Sequence, residues 1–93
     1  MNIPKITNIS TAIRIYYSYP EIGNAEITEL FGKRSPQTVS KLKEVVKNKM
    51  MEDGKPRFHP HRVNTTTAFE VWGLDISDLE HRQEKLKRLG LSA

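Results

Sequence analysis

Between Pro20 and Pro36 the chain is interrupted so often that only short, tightly turned elements fit there. Pro20 closes a segment whose apolar residues recur at helical spacing, because proline drives the residue before it out of the helical region. Gly32 closes a second, shorter segment, and Ser35-Pro36 opens a third. Serine caps free backbone N–H groups, and proline at the first helical position gives up only a donor that has no partner there anyway. The spacing predicts a helix over about 7–19, with Ile9, Ala12, Ile13, Tyr16 and Tyr17 at helical intervals. A linker, Pro20-Glu21-Ile22-Gly23, follows. The next helix is expected over about 25–31, with Asn24 as N-cap, Glu26 in the first turn and an apolar face of Ile27, Leu30 and Phe31. A longer one is expected over about 36–51, with Val39, Leu42, Val45, Val46 and Met50 on one side.

Beyond Gly54 the signals are weaker. Residues 55–64 read as a basic loop, since Pro56 and Pro60 cannot donate ladder hydrogen bonds. Thr65, Thr66, Thr67, Phe69, Val71 and Trp72 have strand propensity, yet Ala68, Phe69 and Trp72 also share a helical face and Gly73-Leu74 reads as a helix stop. A strand needs a partner, and the proline-bearing loop is a poor one, so a short helix is the preferred reading. Phe69 and Trp72 are expected in the core. A last helix is expected over about 77–89, with Ser77 and Glu80 at capping-box spacing and Gly90 as terminator.

No repeat, low-complexity tract or long linker divides the chain, so residues 1–93 are read as a single, mainly α domain. It comprises a three-helix helix-turn-helix core (about 7–51), a basic loop with a degenerate wing (55–73) and a C-terminal helix (about 77–89). With 93 residues and a hydrophobic share of 37%, the core is small. There is no cysteine, hence no disulfide framework or thiolate chemistry. No apolar run reaches the length of a membrane span, and Met1 to Ile9 lacks the charged start and apolar stretch of a secretory signal. The expected address is the cytoplasm, with no membrane contact.

Charge is unevenly distributed. The whole chain carries a formal +4, but residues 33–62 hold nine Lys and Arg against three acids, a net +6, and the remainder six against eight, a net −2. A localised positive field concentrates a polyanion and speeds its encounter. If Val39, Leu42, Val46 and Met50 point inward, then Gln37, Ser40, Lys41, Glu44, Lys47 and Asn48 point outward. An amide, a hydroxyl and an ammonium near a protruding helix start suit base edges in a major groove wide enough for one helix. Gln37, Thr38, Ser40 and Lys41 are therefore the candidate base contacts. Lys33, Arg34, Ser35, Lys47, Arg57, His59, His61 and Arg62 are the candidate contacts to the DNA backbone.

The run from Ile13 to Gly32, with its Tyr19-Pro20-Glu21 linker and Asn24-Ala25-Glu26-Ile27-Thr28-Glu29-Leu30-Phe31-Gly32 segment, resembles the first two helices of bacterial winged-helix regulators. Ser35-Pro36-Gln37-Thr38-Val39-Ser40 is similar to the recognition-helix start of lac-repressor-type regulators. The resemblance covers about residues 10–51. It implies that Gln37, Thr38 and Lys41 read bases, with Pro36 replacing a side chain that often contacts DNA. The turn is one residue longer than in that pattern, and no two-stranded wing is legible in 55–73.

No nucleophile motif, glycine-rich phosphate loop or paired-carboxylate arrangement is present, so no enzyme is expected. His59-Pro60-His61 lacks the companions of a metal site, and no cofactor or metal is expected. Ile76, Leu79, Gln83 and Leu86 fall at heptad spacing. That stripe either folds back on the domain or joins a homodimer, the latter being favoured because regulators commonly read paired half-sites. The function expected is sequence-specific binding of double-stranded DNA, as a small transcriptional regulator placing helix 36–51 in the major groove. Two alternatives stand beside it: a phage or plasmid DNA-transaction factor, such as an excisionase or small terminase-like subunit, and a protein-protein interaction module suggested by the short C-terminal helix and an exposed Met50-Met51 pair.

Overall fold

The structure, a computed structural model, describes residues 3–55 and 60–90. Among them the chain is mainly helical. Helices α1 (Ile9–Ser18), α2 (Asn24–Phe31), α3 (Pro36–Glu52), α4 (Thr65–Val71) and α5 (Ile76–Arg88) are joined by two short strands, β1 (Glu21–Ile22) and β2 (Val63–Asn64).

Each helix starts where a side chain can take a free N–H, although not always the one expected. Asn8 caps α1 by accepting from the Thr11 N–H at 3.1 Å, and Ser35 caps α3 by accepting from the Thr38 N–H at 3.2 Å. Asn24 does not cap α2: it is already helical, and the extended residue before the helix is Gly23. The Gly23 N–H is taken instead by the Glu26 carboxylate, at 2.8 Å, so Glu26 holds the turn as well as matching the helix dipole. Likewise Asp75, not Ser77, caps α5, accepting from the Ser77 and Asp78 N–H groups. Helix α2 ends on Gly32 at φ +79°, a backbone state that side chains rarely adopt.

The linker at 20–23 and the loop at 55–64 both contain what the sequence did not disclose, an antiparallel strand pair. Glu21 faces Asn64 and Ile22 faces Val63. Both apolar members are fully buried, and Pro60 lies outside the paired residues, where it costs no ladder bond. The threonine-rich stretch forms helix α4 as preferred, because Asn64 supplies a cap: its side chain accepts from the Thr67 N–H at 2.9 Å. Thr65 ties this junction to the end of α1, its hydroxyl donating to the Tyr19 carbonyl at 2.6 Å.

The core lies where α1, α2, α3 and α4 meet. Ala12 and Ile15 of α1, Ile27, Leu30 and Phe31 of α2, Leu42, Val46 and Met50 of α3, and Ala68, Phe69 and Trp72 are buried. The Trp72 indole N–H, itself buried, donates to the Leu42 carbonyl at 3.1 Å, and its ring meets Phe31 edge-on at 5.2 Å. Tyr17 is 65% exposed, because the buried stripe of α1 runs through Ala12 and Ile15. Of the methionine pair only Met51 is exposed; Met50 is a core residue.

Helix α5 lies along α1. Leu79 is buried, and half-buried Gln83 donates to the Ser10 hydroxyl at 2.8 Å. The Tyr17 hydroxyl donates to the Glu80 carboxylate. Of the Ile76, Leu79, Gln83 and Leu86 stripe, expected to favour a second copy, Leu79 and Gln83 are thus engaged within the chain, while Ile76 and Leu86 are half-buried. Among the described residues no helix is long and apolar enough to cross a membrane.

Candidate nucleic-acid interface

The two halves of α3 differ by face. Leu42, Val46 and Met50 are buried, while Gln37, Ser40, Lys41, Glu44 and Asn48 are exposed and Lys47 is half-buried. The link from α2, Gly32 to Ser35, carries Lys33 and Arg34 on the surface beside the start of α3. Arg34 is oriented by its own chain, its Nε donating to the Phe31 carbonyl at 3.1 Å, which leaves the terminal nitrogens of the guanidinium available.

The candidate base contacts do not behave alike. Gln37, Ser40 and Lys41 stand together on the exposed first turns of α3. Thr38 is half-buried, and its hydroxyl lies 3.0 Å from the Ser35 hydroxyl, so it belongs to the helix cap rather than to the outward face. Ser35 in turn uses its oxygen on the Thr38 N–H.

The candidate backbone contacts also divide. Lys33 and Arg34 are exposed beside the base-contact candidates. Arg62 turns inward, donating to the Glu21 carbonyl at 3.2 Å and standing 3.8 Å from the buried Glu26 carboxylate, so it pins the approach to β2 onto α2. His61 is exposed, with its carbonyl drawn toward α3. Arg57 and His59 lie outside the described residues. Among those described, no three His, Asp or Glu side chains sit close enough to share a metal ion.

One residue absent from the sequence-based set is brought into this region. Lys43 reaches across from α3, donating to the Asn24 side-chain oxygen at 2.9 Å and to the His61 carbonyl at 3.2 Å. Its position between the buried and exposed faces of α3 gave no sequence signal; only the approach of 60–62 reveals the role. With Asn24, Thr28, Arg34, Pro36 and Ser40 it lines a shallow groove of about 270 Å³ between the starts of α2 and α3. Partial burial, and secondarily the charge of Lys47, hold the Lys43 ammonium below the usual lysine range. Its partners are neutral oxygens, so an anion alongside would favour its charged form.

Charge pairing sharpens the picture. Among the described residues, none of Lys33, Arg34, Lys41, Lys43 and Lys47 is in an ion pair, whereas Arg14, Arg62, Arg82 and Arg88 are each matched by a carboxylate. Lys49, at the far end of α3, is paired with Asp53 at 3.4 Å, and this contact raises its pKa. Five cations without an ion pair therefore gather at the link and the first three turns of α3, where their fields add, against two, Lys85 and Lys87, at the end of α5.

No protein-family model, curated protein or solved structure matches this chain.

Proposed function

We propose that this chain is a sequence-specific double-stranded DNA-binding protein in which α2, the link 32–35 and α3 act as a helix-turn-helix. In this reading the start of α3 enters the major groove. Gln37, Ser40 and Lys41 meet base edges, with glutamine suited to adenine and lysine to guanine. Lys33, Arg34 and Lys43 meet phosphates and set the register without reading sequence. The observation that carries the proposal is the exposed cluster of unpaired cations around Gln37 and Ser40, on the helix end that the core leaves free. A small transcriptional regulator is the use that the resemblance of residues 10–51 favours.

The strand pair supports a second, subordinate point. β2 pairs with β1 immediately before α2, and Lys43 holds His61 against α3. Residues 60–62 are thereby held beside the proposed reading helix, where a wing would lie. The interaction-module reading retains only Met51 of its methionine pair.

Titration of a fluorescent random-sequence duplex at increasing salt tests the proposal. Binding should weaken as salt rises, the log–log slope steepening by about 0.9 for each phosphate neutralised. Absence of binding at low salt, or affinity indifferent to salt, would refute it. Lys41→Ala should weaken binding, whereas Lys85→Ala on α5 should leave it unchanged.

A further inference from the structure

Along the exposed side of α3 one group opposes the charge around it. Gln37, Lys41, Glu44 and Asn48 follow one another at helical spacing opposite Leu42, Val46 and Met50, and all four are exposed. Glu44 is the sole acid of α3 ahead of its last residue, Glu52. Lys41 stands three residues before it and Lys47 three after, both at the separation of a helical ion pair. Among the described residues, neither lysine pairs with it, and its carboxylate takes no hydrogen bond from any other of them. The acid is therefore not engaged in neutralising its neighbours.

A carboxylate facing a polyanion repels every sequence alike unless a donor meets it. In the major groove such donors are base amino groups: the cytosine N4 amino group suits a carboxylate because that base edge carries no acceptor, the adenine N6 amino group stands beside the N7 acceptor, and guanine N7 and O6 and thymine O4 offer only lone pairs. Resting on the DNA-binding reading above, we infer that Glu44 is a specificity-determining residue, which accepts from a cytosine amino group and rejects base pairs presenting acceptors at that place. The lysines around it supply attraction that any duplex satisfies; Glu44 converts part of that attraction into discrimination, since specificity is a difference of affinities and repulsion of wrong partners contributes to it. Seven residues separate Glu44 from Gln37, about 10 Å along the helix, so the two would read positions roughly three base pairs apart.

Selection of bound duplexes from a random pool, run with the unaltered protein, Glu44→Ala and Glu44→Gln, tests this, with circular dichroism to verify that each variant is folded. The expected result is an enriched cytosine at one position with the unaltered protein. Glu44→Ala should lose that preference about tenfold, while random-duplex affinity rises. Glu44→Gln should replace the cytosine preference with another, because an amide both donates and accepts. Identical enriched sequences for all three proteins, with affinity raised uniformly in Glu44→Ala, would overturn the inference while leaving DNA binding intact. Failure of the unaltered protein to bind random duplex at low salt would overturn both readings.

Discussion

Ser35 stands where the fold meets the proposed recognition surface. Its hydroxyl oxygen accepts from the Thr38 N–H and lies against the Thr38 hydroxyl, so the helix start that presents Gln37 is held by a single cap. Ser35→Ala should cost about 1 kcal/mol of stability, readable as a shift of the urea midpoint at unchanged slope. Gln37 sits two residues further on, exposed and without a structural task, and Gln37→Ala should leave the midpoint in place. Its expected effect is on recognition: a loss of about 1–3 kcal/mol at one base position, whereas Lys47→Ala should weaken all sequences evenly, as competition titrations with substituted duplexes would separate. Tyr17 offers a pH-dependent test of the α1–α5 contact. Its hydrogen bond to Glu80 raises the phenol pKa above 10.0, so the native chain keeps this proton longer than the unfolded one. The contact therefore contributes fully below about pH 10, and its contribution is lost as pH rises through the raised folded value. As pH rises past about 10, the unaltered protein should lose stability more steeply than Tyr17→Phe in parallel denaturation curves.

The elements differ in how they are secured. Helix α3 is held through Leu42, Val46, Met50 and the Trp72 indole bond, while α5 rests on α1 through Leu79 and a few polar contacts. Leu79→Ala should therefore cost about 2–3 kcal/mol in equilibrium unfolding, at the lower end for a buried leucine. It should leave the affinity of the folded protein for duplex unchanged, because α5 packs on α1 and supplies none of the proposed contacts. The helices were legible in the sequence because their apolar residues repeat at the helical period and their ends carry caps or glycine. The strands were not, since two residues are too few for a period and the partner of Glu21-Ile22 lies beyond α3. Cap positions slipped at Asn24 and Ser77 because a local pattern cannot tell a side chain before a helix from one already inside it; Glu26 and Asp75 decided those ends through contacts that follow from the turn. At the candidate interface, the outward set of Gln37, Ser40 and Lys41 followed from periodicity. The inward turn of Arg62, the capping role of Thr38 and the reach of Lys43 each depend on a neighbour brought in by folding.

Across the whole molecule, charge and structure point the same way. Of the net +6 of residues 33–62, the link and α3 (residues 33–52) carry six Lys and Arg against two acids, a net +4, while in α5 Asp78 and Glu84 are paired with Arg82 and Arg88 of the same helix. A surface so divided would orient an approaching polyanion before any specific contact forms. Its central requirement is that the start of α3 makes that contact. Amide chemical-shift mapping of the full chain, titrated with a random-sequence duplex at low salt, asks this of every described residue at once. The expected result is perturbation centred on Lys33 to Asn48 and extending to His61, with α5 silent. Perturbation centred on α5, or none as duplex is added to excess, would contradict it.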